Sequence, residues 1–352
     1  MLKPLFYKTL RILVFPLAIL YGIVVYFRNL FFDLGIYSSN KFDVPVIAVG
    51  NLSVGGTGKS PQIEYLIKLL KATHKVAVLS RGYKRKSEGF LLANPKTTVN
   101  DIGDEPFQFY SKYPQAMVAV DADRTHGIKT LLQKESKLDV ILLDDAFQHR
   151  KVKASFYVLL TSYGKLYAND YLVPSGTLRE SRKGAKRAQI IIVTKCPVNL
   201  SNSEQEVILN KLNPTKKQAV FFTSIKYANR IISDTNELVI SKLADYEVLL
   251  LTGIANPNPL LEHLKQLQVN YKHLKFPDHY NFSEKDLSKI NNEFIKLTST
   301  KKLILTTEKD YMRLQGRIAN LYYLGIETNF LNNQSTVFNE LVLQETKGVK
   351  TL

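Results

Sequence analysis

The chain has 352 residues, is 45% hydrophobic and carries a formal net charge of +17, enough for two domains or for one large domain with an appendage. A single cysteine, Cys196, excludes an internal disulfide framework and fits a reducing compartment, and no Cys/His cluster has zinc-like spacing. The charge suits anionic lipids or phosphorylated substrates better than nucleic acid, since no zinc finger, zipper or aromatic-studded RNA-binding signature accompanies it.

From Ile12 to Phe27 no residue is charged, and Lys3, Lys8, Arg11 and Arg28 flank the stretch. These 16 residues, interrupted by Pro16 and Gly22, fall slightly short of the ~20 that cross a bilayer. A signal peptide would need a small-residue cleavage site and would export the phosphate-binding loop that follows. A buried core helix would not be apolar on every face. The best fit is a membrane-associated helix in region 1–40, either short and spanning or lying in the interface with snorkelling basic ends.

Region 41–218 alternates short apolar runs with longer helical stretches. The runs Val44–Val49, Val76–Leu79, Met117–Val120, Val140–Leu143, Phe156–Leu160 and Ile190–Val193 are continuous and rich in Val, Ile and Leu. They predict parallel strands buried on both faces. After the first run, Ile63, Leu66, Ile67 and Leu70 share one helical face, and Pro61 stands near that helix's start. The expectation is an α/β fold of P-loop NTPase type, a mostly parallel sheet with helices on both faces. A polar stretch at 200–218 predicts a junction. Beyond it, Ala219–Thr223, a ribbon around Tyr227–Ile240, Val248–Thr252, Leu303–Thr306 and Leu321–Leu324 predict a smaller α/β domain over 219–330 that completes a cleft. Residues 331–352 carry no strong pattern and read as a tail.

The sequence Ser53-Val54-Gly55-Gly56-Thr57-Gly58-Lys59-Ser60 lies between the first strand and the first amphipathic helix. In a P-loop, glycines let backbone N–H groups close around phosphate oxygens, the lysine reaches the β- and γ-phosphates, and the hydroxyl ligates Mg²⁺. The helix N-terminus adds a dipole that favours anions. Ser53 replaces the usual first glycine. The run Asp139-Val-Ile-Leu-Leu-Asp144-Asp145 reads as a Walker B strand, whose terminal carboxylates point into the ligand crevice and hold Mg²⁺ or its waters. A guanine-reading Asn-Lys-x-Asp motif is missing. The nearest match is Thr194-Lys195-Cys196-Pro197, with proline where the aspartate belongs, so ATP is favoured over GTP.

In order along the chain, Gly50–Lys59, Ser80-Arg81-Gly82-Tyr83, Gly103-Asp104-Glu105-Pro106, Asp144-Asp145-Ala146-Phe147-Gln148-His149, Pro174–Glu180, Phe276-Pro277-Asp278-His279 and Thr306-Thr307-Glu308-Lys309-Asp310 resemble the tetraacyldisaccharide 4'-kinase family. Departures are mild: Ser60 stands where the family usually has Thr, and Ala146 replaces a common Gly. The resemblance implies phosphoryl transfer from ATP to the 4'-hydroxyl of an acylated disaccharide 1-phosphate lipid, giving lipid IVA, at the cytoplasmic face of the bacterial inner membrane. It implies neither a nucleic acid nor an obligate protein partner. It also implies Asp104 and His279 as a catalytic dyad in the proton's path, with His279 coming from the second domain. Lys59, Mg²⁺ and Arg179 then neutralise charge. Ser60, Glu105, Asp144 and Asp145 are candidate Mg²⁺ ligands, and Arg81 and Tyr83 candidate contacts to nucleotide or acceptor. From the residues alone, two other readings stay open: a P-loop ATPase with water as acceptor, and a P-loop GTPase or metallochaperone.

Overall fold

The computed structural model describes residues 13–347. The basic flank Lys3, Lys8 and Arg11, together with Ile12, and the final residues 348–352 lie outside the described residues. Helix α1 (Phe15–Asp33) leads to strand β1 (Val46–Asn51), helix α2 (Lys59–Leu70) and β2 (Val76–Ser80). A short β3 (Leu91–Leu92), α3 (Asp104–Lys112), β4 (Met117–Val120), α4 (Arg124–Lys134), β5 (Val140–Asp144), β6 (Phe156–Ser162) and β7 (Ile190–Thr194) complete the amino half. The carboxyl half carries α5 (Asn202–Leu212), β8 (Ala219–Ile232), β9 (Glu237–Val239), β10 (Glu247–Thr252), α6 (Asn258–Gln266), β11 (Asn270–Lys275) and α7 (Glu284–Ile295). It ends with β12 (Lys302–Thr307), α8 (Glu308–Leu314), β13 (Leu321–Phe330) and α9 (Ser335–Lys347).

The strands run in the order β11-β10-β12-β13-β8-β7-β6-β1-β5-β2-β4-β3, with β9 paired to β8. Two parallel regions, β11 to β13 and β8 to β4, meet where β8 and β13 pair antiparallel. The predicted mostly parallel sheet with helices on both faces is present. The fully apolar strands are buried throughout, as a sheet covered on both faces requires. On one face Ile63, Leu66, Ile67 and Leu70 of α2 pack with Val76, Val78 and Phe109. On the other, Ile128 and Leu131 of α4 pack against Ala77, Leu79, Ile141 and Leu143.

Three expectations change. Residues 219–222, expected to open the second region, pair in parallel with β7 and so finish the first. The remainder of the 14-residue β8 crosses over to pair with β13, which makes one strand the junction. The expected tail contains helix α9, whose Phe338 and Val342 are fully buried against Phe221 and Phe330. Spacing of i, i+4 within a polar stretch supplies that narrow apolar stripe. Strand β11 is an edge strand with only partial burial, which explains its polar sequence.

Helix α1 has 19 residues with a mean hydropathy of 1.6, long and apolar enough to cross a membrane by those criteria. It is nevertheless docked along one side. Tyr21 donates to the Arg179 carbonyl at 2.7 Å, and Arg28 Nη2 to the Gln148 carbonyl at 2.8 Å. Arg150 donates to the Asn29 carbonyl at 2.9 Å and pairs with Asp33 at 2.6 Å. Leu17, Ile19, Leu20, Val24 and Phe27 stay exposed on the other side.

The two halves also meet through a buried polar knot. Lys112 Nζ on α3 lies 2.5 Å from both Glu64 on α2 and Glu308 on α8. Gln108 and Tyr113 donate to Glu64 as well, at 2.6 and 3.1 Å. Burial and the neighbouring Glu64 hold the Glu308 carboxyl above its ordinary range, with Lys112 opposing them. A raised folded-state carboxyl contributes stability at pH below the ordinary carboxylate range and loses it as pH rises past its folded value. Lys112→Met, which leaves two buried carboxylates uncompensated, is expected to cost about 3–5 kcal/mol. That loss should shrink as pH falls from neutrality towards the ordinary carboxylate range and be partly restored by adding Glu308→Gln, both read from denaturant midpoints.

Candidate active site

All parallel strands of the amino half end at one edge of the sheet, and the motif residues gather there. β1 ends at Asn51, β2 at Ser80, β5 at Asp144 and β7 at Thr194. The loop between β1 and α2 needs backbone conformations that L side chains resist: Gly55 has φ 111° and Gly58, at the helix cap, φ 86°. Ser53 is buried, its carbonyl taking a hydrogen bond from Asn51 Nδ2 at 2.6 Å, and Val54 N donates to the Thr177 carbonyl at 2.7 Å. Thr57 is buried with no protein partner for its hydroxyl. Lys59 emerges at the start of α2, with Nζ 3.4 Å from Asn51 Oδ1 and 3.7 Å from Asp145 Oδ1.

Ser60 donates to Glu105 Oε1 at 2.9 Å, which ties the first turn of α2 to the first turn of α3. Asp144 is buried at the end of β5. Ser80 donates to its Oδ2 at 3.1 Å, while its Oδ1 has no partner. Burial, then the Glu105 and Asp145 charges, push the Asp144 carboxyl up to about 7, with Lys59 and Ser80 opposing. A hydroxyl, a carboxylate and an orphaned buried carboxylate oxygen suit a hard cation that takes its other ligands from phosphate and water. Among the described residues no group of three or more His, Cys, Asp or Glu forms an all-protein metal cage. Asp145 faces cations instead: Arg179 Nη2 lies 2.8 Å from its Oδ1, with Lys59 beside it, and these charges hold its carboxyl below the usual range against burial. Counted from the sequence with the Mg²⁺ ligands, Asp145 is occupied by Arg179 and Lys59 here.

Asp104 opens α3, one residue after Gly103, whose φ of 87° is left-handed and where a Cβ would meet the Tyr83 carbonyl at 2.8 Å. That close approach brings the Tyr83 loop against the head of α3. From the carboxyl half, His279 reaches Asp104 with Nδ1 3.3 Å from Oδ2. The Tyr83 ring stands edge-on to the His279 ring at 6.0 Å. Two further residues of α8 complete the cluster. Arg313 grips Asp104 with both prongs, Nε to Oδ1 at 2.8 Å and Nη2 to Oδ2, and donates Nη1 to the Tyr280 carbonyl at 2.8 Å. Lys309 Nζ lies 2.7 Å from His279 Nε2. Arg313 Nη2 also lies 3.2 Å from His279 Nδ1, so the imidazole is held from both ring nitrogens by residues of α8. His279 also holds a positive φ of 58°.

A model of the family described as tetraacyldisaccharide-1-P 4'-kinase matches residues 10–347. The chain belongs to this family. A tetraacyldisaccharide 4'-kinase of Flavobacterium johnsoniae is 53% identical over 340 residues, covering 96% of this chain and 98% of that one. The protein of the same name from Bacteroides thetaiotaomicron is 47% identical, with 94% and 91% covered. A crystal structure of Aquifex aeolicus LpxK in complex with ATP superposes with a TM-score of 0.77 at 32% identity, covering 96% of this chain and 99% of that one.

Within this kinase-family framework, most of the candidates drawn from the sequence stand together: Lys59, Ser60, Glu105, Asp144, Asp145 and Arg179 in one cluster, and Asp104, His279 and Tyr83 in the next. Arg81 is exposed at the end of β2 and, among the described residues, contributes none of these hydrogen bonds. Arg179 and Arg187 turn inward, Arg187 pairing with buried Glu180 at 2.8 Å, while Arg182 stays exposed and donates to the Asp170 carbonyl. Asn51, Arg124, Lys309 and Arg313 were not singled out by the sequence. Asn51 accepts from both Lys59 and Arg179, at 3.4 and 2.6 Å. Arg124, buried behind Asp144, has its guanidinium pushed down to about 10 by burial. The only signal for Lys309 and Arg313 was their place in and just after the Thr-Thr-Glu-Lys-Asp motif. Because Asp144 holds a destabilised buried charge, Asp144→Asn is expected to raise the melting temperature of the EDTA-treated, nucleotide-free protein by about 2 °C or more while abolishing turnover. Differential scanning calorimetry beside an activity assay checks both halves.

Proposed function

We propose that the chain transfers the γ-phosphoryl group of ATP to the 4'-hydroxyl of tetraacyldisaccharide 1-phosphate, forming lipid IVA, at the cytoplasmic face of a bacterial inner membrane. The observation that carries this reading is the juxtaposition of a P-loop with the Asp104–His279 pair. One supplies a phosphate cradle; the other supplies a route for an alcohol's proton. A water-directed ATPase has no need of the second half of the site, so the acceptor-bearing reading is preferred.

In this scheme the backbone N–H groups of residues 54–58 and the Lys59 ammonium bind the phosphates. Asn51 and Asp145 hold Lys59 and Arg179 in place, so both cations face charge developing on the transferred group. Ser60, Glu105 and Asp144 would hold Mg²⁺, which when bound neutralises charge on the phosphates. The acceptor hydroxyl gives its proton to the Asp104–His279 pair as its oxygen bonds to phosphorus and the bond to the ADP oxygen breaks. Arg313 fixes the Asp104 carboxylate in one plane, and Lys309 at Nε2 with Arg313 at Nδ1 holds the imidazole ring in place. Asp104 belongs to the amino half, and His279, Lys309 and Arg313 to the carboxyl half. We therefore treat the units expected over 41–218 and 219–330, with residues 219–222 moved to the first, as two functional units whose approach assembles the proton route.

The exposed apolar side of α1 supports membrane association. A groove of about 1140 Å³ beside it is lined by Phe27, Phe31, Arg28, Arg150 and Lys151, among others. Apolar wall and cations together suit acyl chains and a 1-phosphate. The test uses γ-labelled ATP with the disaccharide lipid in vesicles: label appears in the lipid, and appearance only in free phosphate would sink the proposal. Asp104→Ala and His279→Ala should each lower kcat by about 10²–10⁴ while ATP binding persists. Arg313→Met should lower kcat about tenfold or more, because the carboxylate loses its orientation, and it should shift the pH–rate profile. An unchanged profile would remove Arg313 from the proton route.

A further inference from the structure

The run Thr194-Lys195-Cys196-Pro197, set aside because it lacks a guanine-reading carboxylate, ends β7 directly beneath the phosphate-binding loop. A loop that turns consecutive N–H groups inward towards an anion turns its carbonyls outward, where they need donors. Two consecutive carbonyls find them here. Thr194 Oγ1 donates to the Thr57 carbonyl at 2.8 Å, and Lys195 Nζ donates to the Gly56 carbonyl at 2.6 Å. Lys195 takes a left-handed backbone conformation, φ 58°, to aim its side chain this way. A non-glycine residue in that region costs of order 1–3 kcal/mol and persists where the surroundings enforce it, often at functional sites. Asp145 and His279, with φ of 48° and 58°, share the trait within the same site.

Charge adds a second, independent observation. The Lys195 ammonium is held below its ordinary range by burial and then by the charges of Lys165 and Lys59, with no carboxylate in opposition. Among the described residues Lys195 and Lys165 make no ion pair, whereas Lys59 lies 3.7 Å from Asp145. Such an unbalanced group is poised for a polyanion.

We infer that Lys195 is a nucleotide-positioning residue: it braces the P-loop from its outer side through the Gly56 carbonyl and so holds the loop's N–H groups towards the phosphate chain of ATP. This rests on the kinase reading above and adds a residue outside the P-loop and Walker B motifs. In place of the missing base-reading carboxylate, the tetrapeptide serves the phosphates.

The test measures binding of labelled ATP to the full chain by equilibrium dialysis without lipid, and then kcat and KM for ATP with lipid present. Lys195→Met keeps the stem and removes both the charge and the hydrogen bond. It should raise Kd and KM for ATP about tenfold, close to 1.4 kcal/mol, with kcat at saturating ATP within about threefold of wild type. Lys195→Arg should recover most of the affinity. Wild-type-like Kd in Lys195→Met, or a fall in kcat with KM unchanged, overturns the assignment. A wild-type chain that binds no ATP would instead overturn the kinase reading on which it rests.

Discussion

Arg313 and His279 from one half of the molecule converge on Asp104 from the other, and the proposed proton route depends on that meeting. The contact cannot form within either half alone. It requires the long β8 to leave the parallel sheet of the amino half, pair antiparallel with β13 and deliver α8 against α3. The buried Lys112 knot lies at the same seam, and it makes separation of the halves electrostatically costly: the lysine would part from one of two buried carboxylates.

The phosphate side of the site follows a different logic. There a buried carboxylate oxygen of Asp144 and the Thr57 hydroxyl lack hydrogen-bond partners among the described residues, with the Glu105 charge close by. Unsatisfied buried polar atoms are destabilising, and these two stand at the sheet edge where ATP and Mg²⁺ would supply partners. Near them, Arg179, Asp145, Asn51 and Lys59 form a closed set of contacts that fixes the cations in advance of any substrate. Preorganisation and deliberate incompleteness thus stand side by side.

Much of this was legible in the residues. Continuous apolar runs marked six of the parallel strands, β1, β2, β4, β5, β6 and β7, because burial on both faces leaves no room for alternation. The strand–loop–helix context of Ser53–Ser60 marked the phosphate site because the chemistry needs glycines and a lysine at fixed offsets. What escaped notice did so for physical reasons. Strand β11 is an edge, so Asn270–Lys275 stays polar. Helix α9 needs only Phe338 and Val342 to anchor it. Arg313 and Lys309 matter through contacts to residues well over a hundred and about thirty positions away in the chain, a proximity no local spacing encodes. The role of Asp145 also turned on geometry, since two adjacent aspartates at a strand end point to different sides.

Helix α1 is bonded to the carbonyls of Arg179 and Gln148, and Gln148 in turn donates to the carbonyl of Asn51 at the mouth of the phosphate loop. The apolar helix and the phosphate-binding edge are therefore joined by a short chain of hydrogen bonds. If the exposed side of α1 rests in the lipid, the height of Lys59 above the bilayer is a constant of the fold. A lipid-anchored sugar presents its hydroxyls at different depths, and a fixed height selects among them. Regiochemistry would then be set partly by a ruler, with the membrane surface as its zero.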